Sequence, residues 1–254
     1  MAKGEVANLN LLETKKLTKR FGGLTAVSEV DFTVAKGEVR AIIGPNGAGK
    51  TTFFNLIAGR LPPTEGEIWF KGENITNTPP HRIAKKGIGR SYQITNIFPK
   101  LTVFENVRLA AQAVEVTVNF WKNVMFMDDI NRRVMEILEK LKLSDQQETR
   151  AMNLPHGLQR HLEIGIALAS HPDLLLLDEP TAGMTKEETA RMMELINQIS
   201  KGLTIVLVEH DMKFVMALSK KITVLHEGKV LAEGLPGEIQ NNEEVQAVYL
   251  GKQK

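Results

Sequence analysis

The chain has no cysteine. This absence excludes a disulfide-stapled scaffold, a zinc site built on thiolates and a cysteine nucleophile. Long apolar runs are also missing. None approaches the about 20 residues that a membrane-spanning helix requires, and the N-terminus has no apolar stretch of the signal-peptide kind. We therefore expect a cytoplasmic protein that reaches a membrane only through a partner.

The chain also lacks an excess of charge of one sign. It has 32 basic and 30 acidic residues, a formal net charge of +2, which argues against nucleic-acid binding as its main task. The six histidines include no pair four residues apart, so we expect no zinc site. A length of 254 residues, 43% of them hydrophobic, suits one large domain or two small ones.

Strand and helix patterns alternate along the chain and indicate an α/β fold. Between about residues 102 and 169 the pattern is helical. Apolar runs without alternation, such as LLLL and TIVLV, suit a sheet that is buried on both faces. Thr-x-x-Glu spacings beginning at Thr102 and Thr185 predict capping boxes at two helix starts. Strands are predicted at residues 30–34, 39–43, 66–72, 174–178 and 204–208, and a hairpin at residues 222–234 with Glu227 and Gly228 at its turn.

Residues 44–51, GPNGAGKT, match the phosphate-loop pattern G-x-x-x-x-G-K-[ST] at every fixed position. The segment lies between a predicted strand and a predicted helix, which is the context that this motif requires. Glycines let backbone N–H groups curl around phosphates, and the helix N-terminus adds a positive field. Lys50 is expected to reach the β- and γ-phosphates, and the Thr51 hydroxyl to ligate Mg²⁺.

The second candidate element is an acidic pair at the end of the buried strand predicted at residues 174–178. This strand ends in Asp178, and Glu179 comes next. Because α/β folds bind ligands at the carboxyl ends of their strands, we expect Asp178 to hold Mg²⁺, directly or through water, and Glu179 to orient or deprotonate the attacking water. The alternative is an acidic turn at a strand end. These two elements predict a P-loop nucleotide hydrolase without saying which kind.

More of the chain then matches one family. The ordered set of Phe21, residues 44–52, Gln93, residues 154–160, Asp178-Glu179 and His210 resembles the ATP-binding subunit of ABC transporters over essentially the whole length. The stretches LTKRFGGLTAV, GIGRSYQ, LTVFENV, HLEIGIALA and VLAEGLPGEI…VQAVYLG are similar to the G-type ATPase of branched-chain amino acid importers. The urea-importer and lipopolysaccharide-export ATPases share much of this pattern.

The resemblance implies residue roles. Phe21 stands where an aromatic ring stacks on adenine, usually Tyr, although it could instead pack on the core. Gln93 stands where a glutamine contacts Mg²⁺ or water, and His210 where a histidine contacts the γ-phosphate. An exposed loop glutamine and a structural histidine are the alternatives. The remaining nucleotide contacts fall on Gly44, Pro45, Asn46, Gly47, Ala48, Gly49, Lys50, Thr51 and Thr52.

The signature segment, LPHGLQR at residues 154–160, departs from the usual LSGGQ form. The resemblance implies that Leu154, Gly157 and Gln159 contact the nucleotide of an opposing subunit. His156 replaces a glycine of the family form; it either supplies a further donor to that nucleotide or has a structural or neutral role. Pro155 replaces the serine of the family and has neither a hydroxyl nor an N–H. Leu158 replaces a glutamine, and Thr185 replaces an aspartate in the loop after Glu179. We interpret the segment as a variant of the site and expect weaker cross-talk between two ATP sites.

The resemblance also implies an architecture and partners. The expected fold is a P-loop α/β core with a mostly parallel sheet, an N-terminal antiparallel β subdomain and an inserted helical subdomain. Residues 1–94 and 172–254 would form the core, and residues 95–171 the helical signature subdomain. ATP and Mg²⁺ would be bound at the inner face of the cell membrane. The partners would be transmembrane permease subunits, a second identical or paralogous ATPase subunit and, indirectly, a substrate-binding protein, but no nucleic acid.

Three other classes of P-loop protein fit the sequence less well. A soluble non-transport ABC protein usually carries two cassettes in one chain, and this chain has one. DNA-repair and chromosome ATPases of the superfamily insert long coiled coils or zinc modules, which the sequence lacks. A small-molecule P-loop kinase would not explain residues 154–160. The sequence therefore favours a transport ATPase whose substrate is chosen by its partners.

Overall fold

The computed structural model describes residues 10–91, 97–115 and 123–250. The strands are β1 (Asn10–Phe21), β2 (Leu24–Ala35), β3 (Val39–Ile43), β4 (Glu65–Phe70), β5 (Glu73–Asn74), β6 (Ile88–Arg90), β7 (Leu174–Asp178), β8 (Thr204–Val208), β9 (Lys221–His226) and β10 (Lys229–Gly234). The helices are α1 (Lys50–Ile57), α2 (Pro80–Lys86), α3 (Val103–Glu115), α4 (Asn123–Lys140), α5 (His156–Leu168), α6 (Lys186–Ile199), α7 (Met212–Leu218), α8 (Pro236–Gln240) and α9 (Glu243–Leu250).

The chain forms two compact units. One combines the described residues up to 80 with those from 219 onwards, and the other spans residues 81–218. Within the described ranges, no helix has both the length and the apolar character needed to cross a bilayer. The α/β class predicted from the sequence is confirmed, whereas the predicted division at residues 94 and 171 stays a prediction.

The first unit contains an antiparallel sheet in the order β2-β1-β4-β5, which confirms the predicted N-terminal β subdomain. In the same unit β3 pairs in parallel with β9, and β9 pairs with β10 as an antiparallel hairpin. The hairpin turns at Glu227 and Gly228, both with positive φ, as the sequence predicts. All five residues of β3 are buried, so the loop that follows β3 starts from a rigid strand.

The second unit contains the parallel strands β6, β7 and β8, with β7 in the middle. Every residue of β7 and β8 is buried, as their unbroken apolar runs predict. Helices α3, α4 and α5 occupy most of the chain between residues 103 and 168. Both predicted capping boxes are present, with Thr102 and Glu105 at α3 and Thr185 and Glu188 at α6.

Candidate functional site

The phosphate loop joins the buried strand β3 to the first turn of α1. Gly44, Gly47 and Gly49 have φ values of 151°, 82° and 96°, in the region that favours glycine. A Cβ atom on Gly44 would lie 2.1 Å from the Leu225 carbonyl oxygen, and one on Gly49 would lie 2.3 Å from the Ala26 carbonyl oxygen. No side chain fits at either position, so the sequence must supply glycine there.

Lys50 is the first residue of α1 and folds back over this loop. Its Nζ donates hydrogen bonds to the carbonyl oxygens of Gly44 at 2.7 Å and Pro45 at 3.0 Å. Asn46 and Gly47 at the tip of the loop are exposed, as is Thr51 on the first helical turn. The arrangement therefore combines an ammonium group, a helix N-terminus and a bare glycine backbone, which is a set of donors that suits phosphate.

A residue of the C-terminal helix also contacts the phosphate loop. Tyr249 lies on α9 and is 36% exposed; its partial burial raises the pKa of the hydroxyl to about 12, an effect partly offset by a hydrogen bond with the backbone of Gly44. The peptide of Gly44 is thus linked to Tyr249 as well as to Lys50. No local sequence pattern indicates this contact, because more than 200 residues separate the two positions in a chain of 254.

Phe21 ends β1 at the turn formed by Gly22 and Gly23. The residue is 45% exposed, and the Lys19 ammonium lies 5.2 Å from the centre of its ring. The ring is therefore not a core residue, which removes the main alternative to a stacking role.

The acidic pair predicted from the sequence lies at the carboxyl end of β7. Asp178 is buried, and its Oδ2 accepts a hydrogen bond from an Arg90 Nη at 3.0 Å. Glu179 is half-buried and has a φ of +48°, a left-handed conformation that is uncommon for a residue with a side chain. Its N–H donates to the Val208 carbonyl oxygen at 2.9 Å. Glu179 is thus anchored by its backbone to the last residue of β8.

His210 follows β8 and has an exposed side chain, 68% accessible. The residue before it, Glu209, is 1% exposed. Glu209 accepts hydrogen bonds from the His210 N–H at 3.0 Å and from the Thr181 N–H at 2.9 Å. Neither Glu209 nor Thr181 is among the residues predicted to belong to the site, although a carboxylate directly after a buried apolar strand is a usable signal.

The signature segment forms the start of α5. Pro155 precedes the helix without a side-chain cap, Leu154 is buried, and Gln159 donates to the Leu154 carbonyl oxygen at 3.0 Å. A Cβ on Gly157 would lie 2.7 Å from Glu188 Oε1, and one on Gly183 would lie 3.4 Å from His156 Cε1. The signature segment and the loop after Glu179 are therefore in contact within one chain.

Glu188 links these two segments. Its carboxylate accepts hydrogen bonds from the N–H and hydroxyl of Thr185 at 2.9 and 3.0 Å. These bonds, with a smaller contribution from the Gly157 backbone, lower the pKa of Glu188. Thr185 has no carboxylate, but it starts α6 and positions Glu188.

The structure thus groups the predicted residues in two sets. Phe21, residues 44–52 and Lys50 belong to the first unit, and Asp178, Glu179, His210 and residues 154–159 belong to the second. Gln93 lies outside the described residues.

A family model described as ABC transporter matches residues 27–182, a range that includes both the phosphate loop and the acidic pair. The chain belongs to this family. A second model, described as Branched-chain amino acid ATP-binding cassette transporter, matches residues 229–254 of this ABC protein. The family assignment predicted from the sequence is therefore confirmed.

Several ATP-binding proteins align with nearly the whole length of this chain. It is 40% identical over 252 residues to the high-affinity branched-chain amino acid transport ATP-binding protein BraF of Pseudomonas aeruginosa, covering 95% of this chain and 98% of the relative. It is 38% identical over 251 residues to LivG of Escherichia coli, with coverage of 95% and 98%. It is also 30% identical over 246 residues to the lipopolysaccharide export system ATP-binding protein LptB of Haemophilus influenzae, with coverage of 96% and 99%.

Solved structures of ABC cassettes share the fold. The ADP conformation of MJ1267, an ATP-binding cassette of an ABC transporter, matches with a TM-score of 0.84 and 29% identity, covering 96% of this chain and all of that one. A dimeric post-hydrolysis state of the cassette MJ0796, bound to ADP and phosphate, matches with a TM-score of 0.75 and 27% identity, covering 89% and 98%. The chain is accordingly a nucleotide-binding ABC ATPase.

Proposed function

We propose that this chain is the ATP-hydrolysing subunit of an importer of branched-chain or related amino acids. One observation carries the substrate class: residues 229–254 match the model described as Branched-chain amino acid ATP-binding cassette transporter. Relatives named for the same transport, 36–40% identical over nearly the whole chain, support it.

ATP is bound by the first unit in this proposal. Residues 44–52 hold the phosphates through backbone N–H groups, and Lys50 moves its ammonium from the carbonyls of Gly44 and Pro45 to the β- and γ-phosphates. The exposed ring of Phe21 stacks on adenine, which requires only an aromatic face.

The residues present also suit Mg²⁺. The Thr51 hydroxyl is exposed at the start of α1, and Asp178 places a carboxylate at the carboxyl end of β7. Oxygen ligands of this kind are those that Mg²⁺ prefers. We assign Thr51, Asp178 and Gln93 to this ion, which when bound neutralises phosphate charge.

Hydrolysis requires a water molecule in line with the γ-phosphate. Glu179 orients this water and accepts its proton, a contribution of about 10²–10⁴-fold for a general base. His210 contacts the γ-phosphate from its exposed position after β8, and Lys50 neutralises charge on the transferring group. Most of the catalysis in this scheme is positioning and charge stabilisation rather than covalent chemistry.

The nucleotide is shared between two chains in this proposal. Leu154, His156, Gly157 and Gln159 of one subunit face the nucleotide that is held by the phosphate loop of the other. Pro155 offers no hydrogen bond, so the backbone N–H groups at the start of α5 supply the contact. The partner is a second copy or a paralogous ATPase; a dimeric cassette among the similar structures supports the arrangement.

The transmembrane permease subunits dock on the second unit near residues 93–101. Phe98 and Met152 are 55% and 56% exposed, and the Met152 N–H donates to the Pro99 carbonyl oxygen at 3.0 Å, which places the two apolar side chains on neighbouring segments. An apolar surface of this kind suits a protein partner. The chain then works at the cytoplasmic face of the membrane and meets the substrate-binding protein only indirectly.

Lipopolysaccharide export is the second candidate function, because the chain is 30% identical to LptB over almost its full length. The higher identity to BraF and LivG and the match of residues 229–254 favour amino acid import.

The experiment is reconstitution of the chain with the permease subunits encoded beside it, in proteoliposomes loaded with ATP. We expect uptake of leucine, isoleucine or valine with the cognate binding protein, and none with Lys50→Ala. Uptake that fails for all three amino acids, while the complex still hydrolyses ATP, would overturn the substrate assignment and leave the ATPase assignment intact.

A further inference from the structure

The Glu209 side chain is buried, with 1% of its surface exposed, and hydrogen-bond donors lie on both sides of its carboxylate. Oε1 accepts hydrogen bonds from the Thr181 N–H at 2.9 Å and the Thr181 hydroxyl at 2.5 Å. Oε2 accepts one from the His210 N–H at 3.0 Å and lies 3.7 Å from His210 Nδ1. One buried side chain therefore joins two segments that are 28 residues apart in the sequence.

The first of these segments carries Glu179. Thr181 is two residues after it, and the Ala182 N–H donates to the Glu179 carbonyl oxygen at 3.1 Å, which closes a tight turn around the pair. The Glu179 N–H in turn donates to Val208, the residue before Glu209. The turn is thus held to the end of β8 at two points, by the Val208 carbonyl and by the Glu209 carboxylate.

The second segment carries His210, whose backbone N–H has the same carboxylate as its acceptor. Burial of a carboxylate is costly unless its oxygens are hydrogen-bonded. A buried glutamate whose partners are all donors therefore indicates a position where an acceptor is needed on both sides. An amide would satisfy only one side, since its NH₂ group would face another donor.

We propose that Glu209 is a positioning residue that fixes the Glu179 carboxylate and the His210 imidazole relative to each other for hydrolysis. The inference rests on the proposed roles of Glu179 and His210. Glu209 itself touches neither nucleotide nor water in this scheme. It holds the turn after Glu179 through Thr181 and the backbone of His210 through its second oxygen, so both groups stay in register with the end of β8.

The test uses the full-length chain, with steady-state phosphate release and titration of a fluorescent ATP analogue measured side by side. Glu209→Gln is expected to lower kcat at least tenfold, because a displacement of about 1 Å of a catalytic group can cost up to 10²-fold. The Kd for the analogue is expected to stay within about twofold, since Lys50 and the phosphate loop are unaltered.

Thr181 supplies a matched pair of variants. Thr181→Val keeps the shape but removes the hydroxyl donor, and is expected to lower kcat several-fold. Thr181→Ser keeps the donor and is expected to restore kcat to near the original value. Because both changes act on the same link between Glu209 and the turn after Glu179, their effects should not add, and the double variant should have a kcat close to that of Glu209→Gln alone. Glu105→Gln, a carboxylate-to-amide change within the α3 capping box, is the control and should leave kcat unchanged.

Three outcomes would overturn the inference. One is an unchanged kcat in Glu209→Gln; another is a Thr181→Val variant as active as Thr181→Ser. The third is a loss of kcat, nucleotide affinity and melting temperature in parallel, which would make Glu209 a fold-stabilising residue only. If Glu209→Gln does not fold, the Thr181 pair decides. Glu179→Gln and His210→Ala, assayed alongside, test the proposed function separately, because turnover in those variants would contradict it whatever Glu209 does.

Discussion

The exposure of Phe21 favours a stacking role over packing in the core. Its ring is 45% exposed beside a pair of glycines, so a nucleotide base can reach it. Replacement by alanine is expected to weaken ATP binding by about 1–3 kcal/mol, the usual value of base stacking on an aromatic ring. Phe21→Tyr keeps the aromatic face and should retain affinity. Nucleotide titrations of the two variants check this, and equal affinities would show that the ring does not stack.

His161 gives the chain a pH dependence of stability. Its burial lowers its pKa below 6.5, helped by the nearby charges of Lys142 and Arg191 and opposed by a hydrogen bond with the Leu141 carbonyl. Below pH 6.5 His161 therefore binds a proton in the unfolded chain but not yet in the folded chain. The stability of the folded chain that depends on neutral His161 is fully present above pH 6.5 and is lost as the pH falls below that value.

We expect the free energy of unfolding to fall by up to about 1.4 kcal/mol per pH unit in this window through His161. Denaturant titrations of the original chain and of His161→Gln at pH 7.5 and 5.5 measure the difference. His171→Gln, at an exposed position, is the control and should keep the original pH dependence. An identical slope in the original chain and His161→Gln would contradict the prediction.

At the scale of elements, an ion cluster joins β3 to the hairpin of β9 and β10. Arg40 is 1% exposed; its Nε donates to Glu38 at 2.7 Å, and one Nη donates to Glu233 at 2.8 Å and to Thr223 at 3.2 Å. Removing the arginine leaves the Glu38 carboxylate, 10% exposed, without its cation, whereas Glu233 is 32% exposed and keeps Lys221 at 4.0 Å. The strands that carry the phosphate loop therefore depend on one guanidinium.

Arg40→Met is expected to destabilise the chain by about 3–5 kcal/mol, as when one partner of a buried ion pair is removed. Lys142→Met is the comparison, because the Lys142–Glu194 pair is 72% and 69% exposed and such pairs contribute at most about 1 kcal/mol. Urea unfolding monitored by circular dichroism measures both. Equal losses in the two variants would show that burial does not decide the strength of the cluster.

The sequence predicted the elements that a local pattern specifies. Unbroken apolar runs predicted β7 and β8, the short segment VRAII predicted β3, and the Thr-x-x-Glu spacing predicted the capping boxes at Thr102 and Thr185. It did not predict β6, which has only three residues with a glycine in the middle. Nor did it predict the contact of Arg40 with Glu233 or of Thr181 with Glu209, because those partners meet only after the strands have paired.

The whole molecule is expected to dimerise around ATP. Glu179→Gln has nearly the shape of the original but cannot accept a proton, so bound ATP should persist and hold two chains together. Light scattering is expected to show a dimer with ATP and a monomer with ADP. Low salt and high protein concentration are the appropriate conditions, since Pro155 offers no hydrogen bond to the shared nucleotide.

Gly157→Asp in the Glu179→Gln background is the control, because a Cβ at this position would lie 2.7 Å from Glu188 Oε1 and the added charge would face the phosphate. We expect no dimer in this double variant. A dimer that forms regardless of nucleotide, or a monomer with ATP demonstrably bound, would count against the shared site.

The left-handed backbone of Glu179 implies that the active protein is not as resistant to heat as its fold allows. For a residue with a Cβ this conformation costs about 1–2 kcal/mol, whereas at an ordinary position alanine is more stable than glycine by about 0.5–1 kcal/mol. Here the order should reverse: Glu179→Gly should melt at a temperature equal to or higher than Glu179→Ala, with both variants inactive. A selection for thermal tolerance alone, with no demand for transport, would then favour glycine at residue 179, although the resulting protein would have no ATPase activity.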